Sequence, residues 1–340
     1  MDFTGTAILQ WIQDVFSADN AVVQQLADVF SPNGTMPQLW LDLTGVVLPF
    51  AALLMLAGLP VLCVAGETLA VTRQRSFYDK GGRQLAKLAT GLAWLLLAAG
   101  SVMAYVRLGM PMVFTLPPLP DLLCWTLLAA YTLCITLYSA LWRMLRSWPI
   151  SRRLLGGVTA ATGFCAVYAA LLVMESDALA LQGIPHSPTL PDMLLLTEMS
   201  SVRNALPYIP FLALSLAGGM GALWLIARRH RDDYGRDHYN IMVPWCARWA
   251  RNAWCLVWLV LLVCSMNALH AAWQTQGQLS PRLGVETATP LLLWILPALL
   301  WTPTLKSAVP LRHKITPALA LLLAMGFLVP VYMSVLDIAV

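Results

Sequence analysis

The sequence predicts an all-α integral membrane protein. It has eight transmembrane helices, arranged as two tandem four-helix bundles with both termini outside. Three observations carry this reading. Only 11% of the 340 residues are charged while 59% are hydrophobic, and the mean hydropathy is +0.69. So few charges cannot clothe a soluble surface, and so much apolar content excludes disorder. The apolar residues also cluster in runs long enough to cross a hydrocarbon core. Finally, the basic residues fall in alternate connections between those runs.

The spans are read at 43–71, 86–106, 121–142, 154–174, 205–227, 252–273, 288–305 and 315–336. Each approaches the ~20 residues that a helix needs to span lipid, and a helix closes its backbone hydrogen bonds internally. The seventh is interrupted by Pro290, Pro297 and Pro303, which remove helical bonds and predict a kink. Residues 1–42 contain two short helical patterns, Ile8 to Phe16 and Val22 to Phe30. With Asp2, Asp14, Asp19, Asp28 and Asp42 they lack the basic start of a cleavable leader, and they read as an amphipathic segment at the outer face. The chain thereby divides into that segment, a first bundle at 43–174, an outer loop at 175–204 and a second bundle at 205–340.

Of the 21 Lys and Arg residues, 18 lie in the first, third, fifth and seventh connections, which places those connections inside. The other side holds Arg107, Arg203 and Arg282. The net charge of +4 is thus a topology signal and does not indicate nucleic-acid binding. The fifth connection, 228–251, is long enough to dock a subunit. An internal repeat supports the duplication. Tyr78-Asp79, Ala86-Lys87 and Ala89 recur, at one constant offset, as Tyr239-Asn240, Ala247-Arg248 and Ala250.

The seven cysteines form no C-x-x-C motif, so no zinc knuckle, iron–sulfur cluster or covalently bound haem is expected in this chain. The first histidine is His186, and only His270 lies near a span, which argues against a buried bis-histidine haem. Ionisable groups near spans are the functional candidates, because burying them is costly. Arg107, Asp121, Glu175, Asp177, Arg203, Asn267 and His270 all fall at the outer level. Such a polar cluster suits a molecule with an apolar tail and a polar ring, such as menaquinone or ubiquinone. Its carbonyls need donors, and its reduced form needs a proton acceptor. In this reading Arg107 orients a carbonyl, and His270 or Glu175 exchanges the proton. Glu67 is an inner-side candidate whose simplest partner is Arg73 or Arg75.

The eight spans and the Leu108-Gly109-Met110-Pro111 turn after the second span resemble the membrane-anchor subunits of the NrfD, polysulfide reductase and dimethyl sulfoxide reductase type. That family often has His before this turn, where this chain has Arg107. The resemblance implies a haem-free subunit passing electrons between quinone and iron–sulfur or multihaem cytochrome partners, alongside other membrane subunits and lipid. Glu67-Thr68, Tyr78-Asp79, Arg83 and Lys87 also resemble the first inner connection of subunit I of cytochrome bd-type quinol oxidases. That family needs an early haem-ligating His, which this chain lacks. Two other function classes stay open: a solute transporter, and a passive scaffold of an electron-transfer complex.

Overall fold

A computed structural model of the chain describes residues 36–108, 119–181, 205–232, 234–276, 291–307 and 310–328. Residues 1–49 and 50–340 form separate compact units, and only residues 36–49 of the first are described. The described residues are helical throughout, with no strand. The helices are α1 (Met36–Thr72), α2 (Ser76–Leu108), α3 (Leu119–Leu141), α4 (Pro149–Leu181), α5 (Ile209–Asp232), α6 (Arg236–Gln276), α7 (Leu296–Lys306) and α8 (Ile315–Gly326).

Six of them, α1 to α6, are long and apolar enough to cross a membrane. The apolar helices at Leu291–Lys306 and Ile315–Gly326 are shorter within the described residues. The expected kink of the seventh segment is present: the helix at 291–293 breaks at Trp294 and Ile295, and restarts with Pro297 in its first turn. Trp258 and Trp254 donate their indole N–H groups to the carbonyls of Leu291 and Trp294 at this break, at 2.9 and 2.6 Å.

Several boundaries differ from the sequence reading. The expected connection at 228–251 is mostly helix, because α5 runs on to Asp232 and α6 starts at Arg236. Helices outlast their apolar stretches here, and hydropathy does not register that. The expected outer loop at 175–204 begins as helix, since α4 continues to Leu181. Of the expected interfacial segment, residues 1–35 lie outside the described residues and 36–42 belong to α1.

Within residues 50–340 the core is built on α1 and α5. Their apolar stretches are 72% and 61% buried, against 22–39% for α2, α3, α4 and α6. The outer helices carry large exposed apolar side chains, such as Leu95, Leu133, Leu154 and Val263, on faces suited to lipid. Small residues let the central helices approach. Gly58 of α1 sits against the Ala213 carbonyl and Ala217 of α5, and Gly218 of α5 sits against the backbone of Cys246 and Ala250 of α6.

Burial follows the repeat. Tyr78 and Tyr239, Leu85 and Cys246, Ala86 and Ala247, and Ala89 and Ala250 are all buried, whereas Lys87 and Arg248 are both exposed. Equivalent positions also meet: a Cβ on Gly81 would strike Met242. The packing order repeats too. α2 packs on α3 and α3 on α4, just as α6 packs on α7 and α7 on α8. α2, α5 and α6 also pack on one another, and α1 packs on α5.

Pro60 explains one buried polar contact. It has no N–H, so the Leu56 carbonyl loses its helical donor. The Tyr131 hydroxyl of α3 donates to that carbonyl at 2.6 Å, and Tyr131 is fully buried. Tyr131→Phe should orphan the carbonyl and destabilise the fold by about 1–3 kcal/mol. Thermal unfolding in detergent reads this directly, and a change within error would mean that the carbonyl finds another donor.

Candidate functional site

Three polar assemblies lie toward the arginine-rich ends of the helices. The first joins four helices through one residue each. Glu67 of α1 is fully buried and Arg152 of α4 is 5% exposed. Arg152 Nε lies 3.0 Å from Glu67 Oε2, and Arg152 Nη2 lies 3.1 Å from Asp79 Oδ1 of α2. The Tyr138 hydroxyl of α3 donates to Glu67 Oε1 at 2.5 Å. The guanidinium also sits 4.6 Å from the centre of the Trp142 ring. Two carboxylates meet one guanidinium at the junction of α1 to α4. Its chemistry is that of a clamp: each buried charge has a partner, as low-dielectric surroundings require.

The second assembly ties the two halves together. Gln84 of α2 donates through Nε2 to Asp232 of α5 at 2.8 Å, and its Oε1 lies 2.9 Å from Nε2 of the fully buried His238 of α6. Since the amide oxygen only accepts, His238 Nε2 is assigned as the protonated nitrogen. Asp232 also accepts from Arg228 at 3.1 Å.

The third is a slot of about 490 Å³ between α1, α2, α5 and α6. One end holds Arg73, Tyr78, Trp245 and Arg248; Arg73 Nη1 lies 3.5 Å from the Tyr78 hydroxyl, and the Tyr78 and Trp245 rings meet edge to face at 6.1 Å. Arg248 leans back toward that end, with Nε 3.4 Å from the Pro244 carbonyl. Along α6 the lining turns to Trp249, Asn252, Ala253 and Leu256, faced by Phe211 and Leu214 of α5. The slot is thus cationic and aromatic at one end and apolar at the other. Its size is that of a small-molecule site.

The expected outer cluster is only partly visible. Arg203 and the side chains of Arg107 and Asp177 lie outside the described residues. Asp121 is half-buried at the start of α3, and Glu175 is buried in α4 with interactions of its own. Asn267 and His270 are both exposed on α6, and His270 Nε2 lies 3.0 Å from Gln274 Nε2. Glu67 is a buried polar centre, but its partner is Arg152 rather than Arg73 or Arg75. Arg73 instead contributes to the slot.

Sequence reasoning passed over Arg152, Tyr138, Gln84 and His238. Arg152 was absorbed into the tally of basic connection residues, and nothing in its neighbours marks it as buried. The repeat was the available signal, because it singled out the stretch from Tyr78 to Ala89 that carries Asp79, Gln84 and one wall of the slot. Among the described residues no group of His, Cys, Asp and Glu is placed to hold a metal ion. Comparison with protein-family models, with curated proteins and with solved structures gave no match.

Proposed function

We propose that this chain is a haem-free, quinone-interacting membrane subunit of a multi-subunit respiratory oxidoreductase. It works in a bacterial cytoplasmic membrane with its termini periplasmic, and passes electrons between menaquinone or ubiquinone and a partner redox subunit. The slot between α1, α2, α5 and α6 is the observation that supports this reading. A quinone has a flat ring with two acceptor oxygens and a long apolar tail. Arg73, Arg248 and Tyr78 supply donors at one end, Trp245 and Trp249 supply flat walls, and Phe211, Leu214 and Leu256 suit the tail. This places the proposed site toward the basic end, opposite the outer cluster that the sequence suggested. Iron–sulfur or multihaem cytochrome subunits would carry the electrons onward.

Arg73→Gln and Arg248→Gln together should raise the apparent KM for a short-chain quinol at least tenfold in the purified complex, and should deplete co-purified quinone. Trp94→Leu, on an exposed face of α2, should change neither. Unaltered quinone content and KM in the double variant would reject the slot as the site.

The parallel repeat favours a second reading, solute transport, since transporters are often built from paired halves. Solute-dependent stabilisation of the isolated chain, without any effect of quinone, would support it instead.

A further inference from the structure

The two halves differ where they should match. In the first half, Arg152 is neutralised by Glu67 and Asp79. The repeat carries Asp79 onto Asn240. The same offset carries Glu67 onto Arg228. The basic stretch Arg152-Arg153 before the body of α4 has its counterpart in Arg312-His313-Lys314 before α8. The second half has kept the cations and lost both carboxylates.

At that place lies a cavity of about 390 Å³ lined by Arg229, His230, Arg236, Tyr239 and Arg312. Arg312 comes from the turn Pro310–Arg312, anchored by buried Pro310 and Leu311, so tertiary structure brings it to the end of α5 and the start of α6. Among the described residues no carboxylate lies within ion-pair distance of Arg229, Arg236 or Arg312. Tyr239, which lines the cavity, is 3% exposed, with its hydroxyl near Gln84 and Asp232. The first turn of α6 adds free N–H groups. Gathering cations with no described carboxylate in ion-pair range is unfavourable.

We infer that this cavity binds a phosphate-bearing anion, which stands where Glu67 and Asp79 stand in the first half. The anion is either the headgroup of an acidic phospholipid or free phosphate, since both present oxygens that arginine pairs with. The site is separate from the slot and does not depend on the quinone proposal.

The test uses the full-length protein, delipidated in neutral detergent. Its melting temperature is followed while inorganic phosphate, phosphatidylglycerol or phosphatidylcholine is added. Stabilisation by phosphatidylglycerol alone assigns a lipid headgroup, and stabilisation by phosphate as well assigns a free anion. In either case Arg236→Gln/Arg312→Gln should weaken the response at least tenfold. Tyr239→Phe, which keeps the ring and its packing, should weaken it several-fold. Arg231→Gln, outside the cavity, should respond like wild type. If neither phosphate nor phosphatidylglycerol stabilises more than phosphatidylcholine, the inference fails. It fails equally if the folded Tyr239→Phe and double-arginine variants respond as wild type does.

Discussion

Glu67→Leu should cost about 3–5 kcal/mol, the largest loss expected from any single polar substitution in the described fold. The change leaves Arg152, 5% exposed, with one partly exposed carboxylate in place of two. It also strips the Tyr138 hydroxyl of its acceptor. The loss comes from stranding a charge and a donor in low dielectric. The ion pair itself need not stabilise the fold against an apolar alternative. For that reason Glu67→Leu/Arg152→Met should recover most of the stability, while Asp79→Asn should cost less than about 1 kcal/mol because Asp79 is partly in water. Thermal unfolding of the wild type, Glu67→Leu, Arg152→Met and the double variant in one detergent measures the cycle. Additive losses from Glu67→Leu and Arg152→Met would show that the two side chains are not coupled.

Substitution of Gly58 should be the most disruptive change among the described glycines. A Cβ there would overlap the Ala213 carbonyl, a backbone atom that cannot swing aside. Gly58→Ala must therefore separate α1 from α5, at about 1–3 kcal/mol, and Gly58→Val should prevent assembly. Gly91 and Gly157 are the controls, because a Cβ at either meets nothing within 4 Å. Alanine at those positions should be neutral, or should stabilise by up to about 1 kcal/mol through helix propensity. Melting temperature and monodispersity on size-exclusion chromatography separate these outcomes. Equal behaviour of Gly58→Ala and Gly91→Ala would disprove the close crossing of α1 and α5.

Much of the fold was legible before any coordinates. The apolar runs located all six long helices, and Pro290, Pro297 and Pro303 marked the seventh segment as interrupted; the break falls before Pro297, while Pro303 sits inside unbroken α7. Helix ends were less legible. α6 begins at Arg236, well before the apolar run at 252, because polar helical turns beyond the lipid leave no hydropathy signal. The repeat was legible from a handful of matched residues, and burial along α2 and α6 follows it.

The functional candidates were legible only as types. Glu67 stood out because a carboxylate in an apolar run needs a partner, but the nearest arginines in sequence were the wrong ones. Sequence distance predicts partners along one helix, at three or four residues' spacing. It does not predict partners between helices.

The sequence by itself determined the helical, membrane-spanning class of this protein and the position of its long helices. Each of these follows from local composition, since hydropathy and charge act on the segment that bears them. Only the tertiary structure decided that Arg152 meets Glu67, that Arg73 and Arg248 close on one slot, and that Arg312 reaches Arg229 and Arg236. These meetings depend on where Gly58, Gly81 and Gly218 let helices approach, and helix crossings are set by shape at the contact rather than by the charges they bring together.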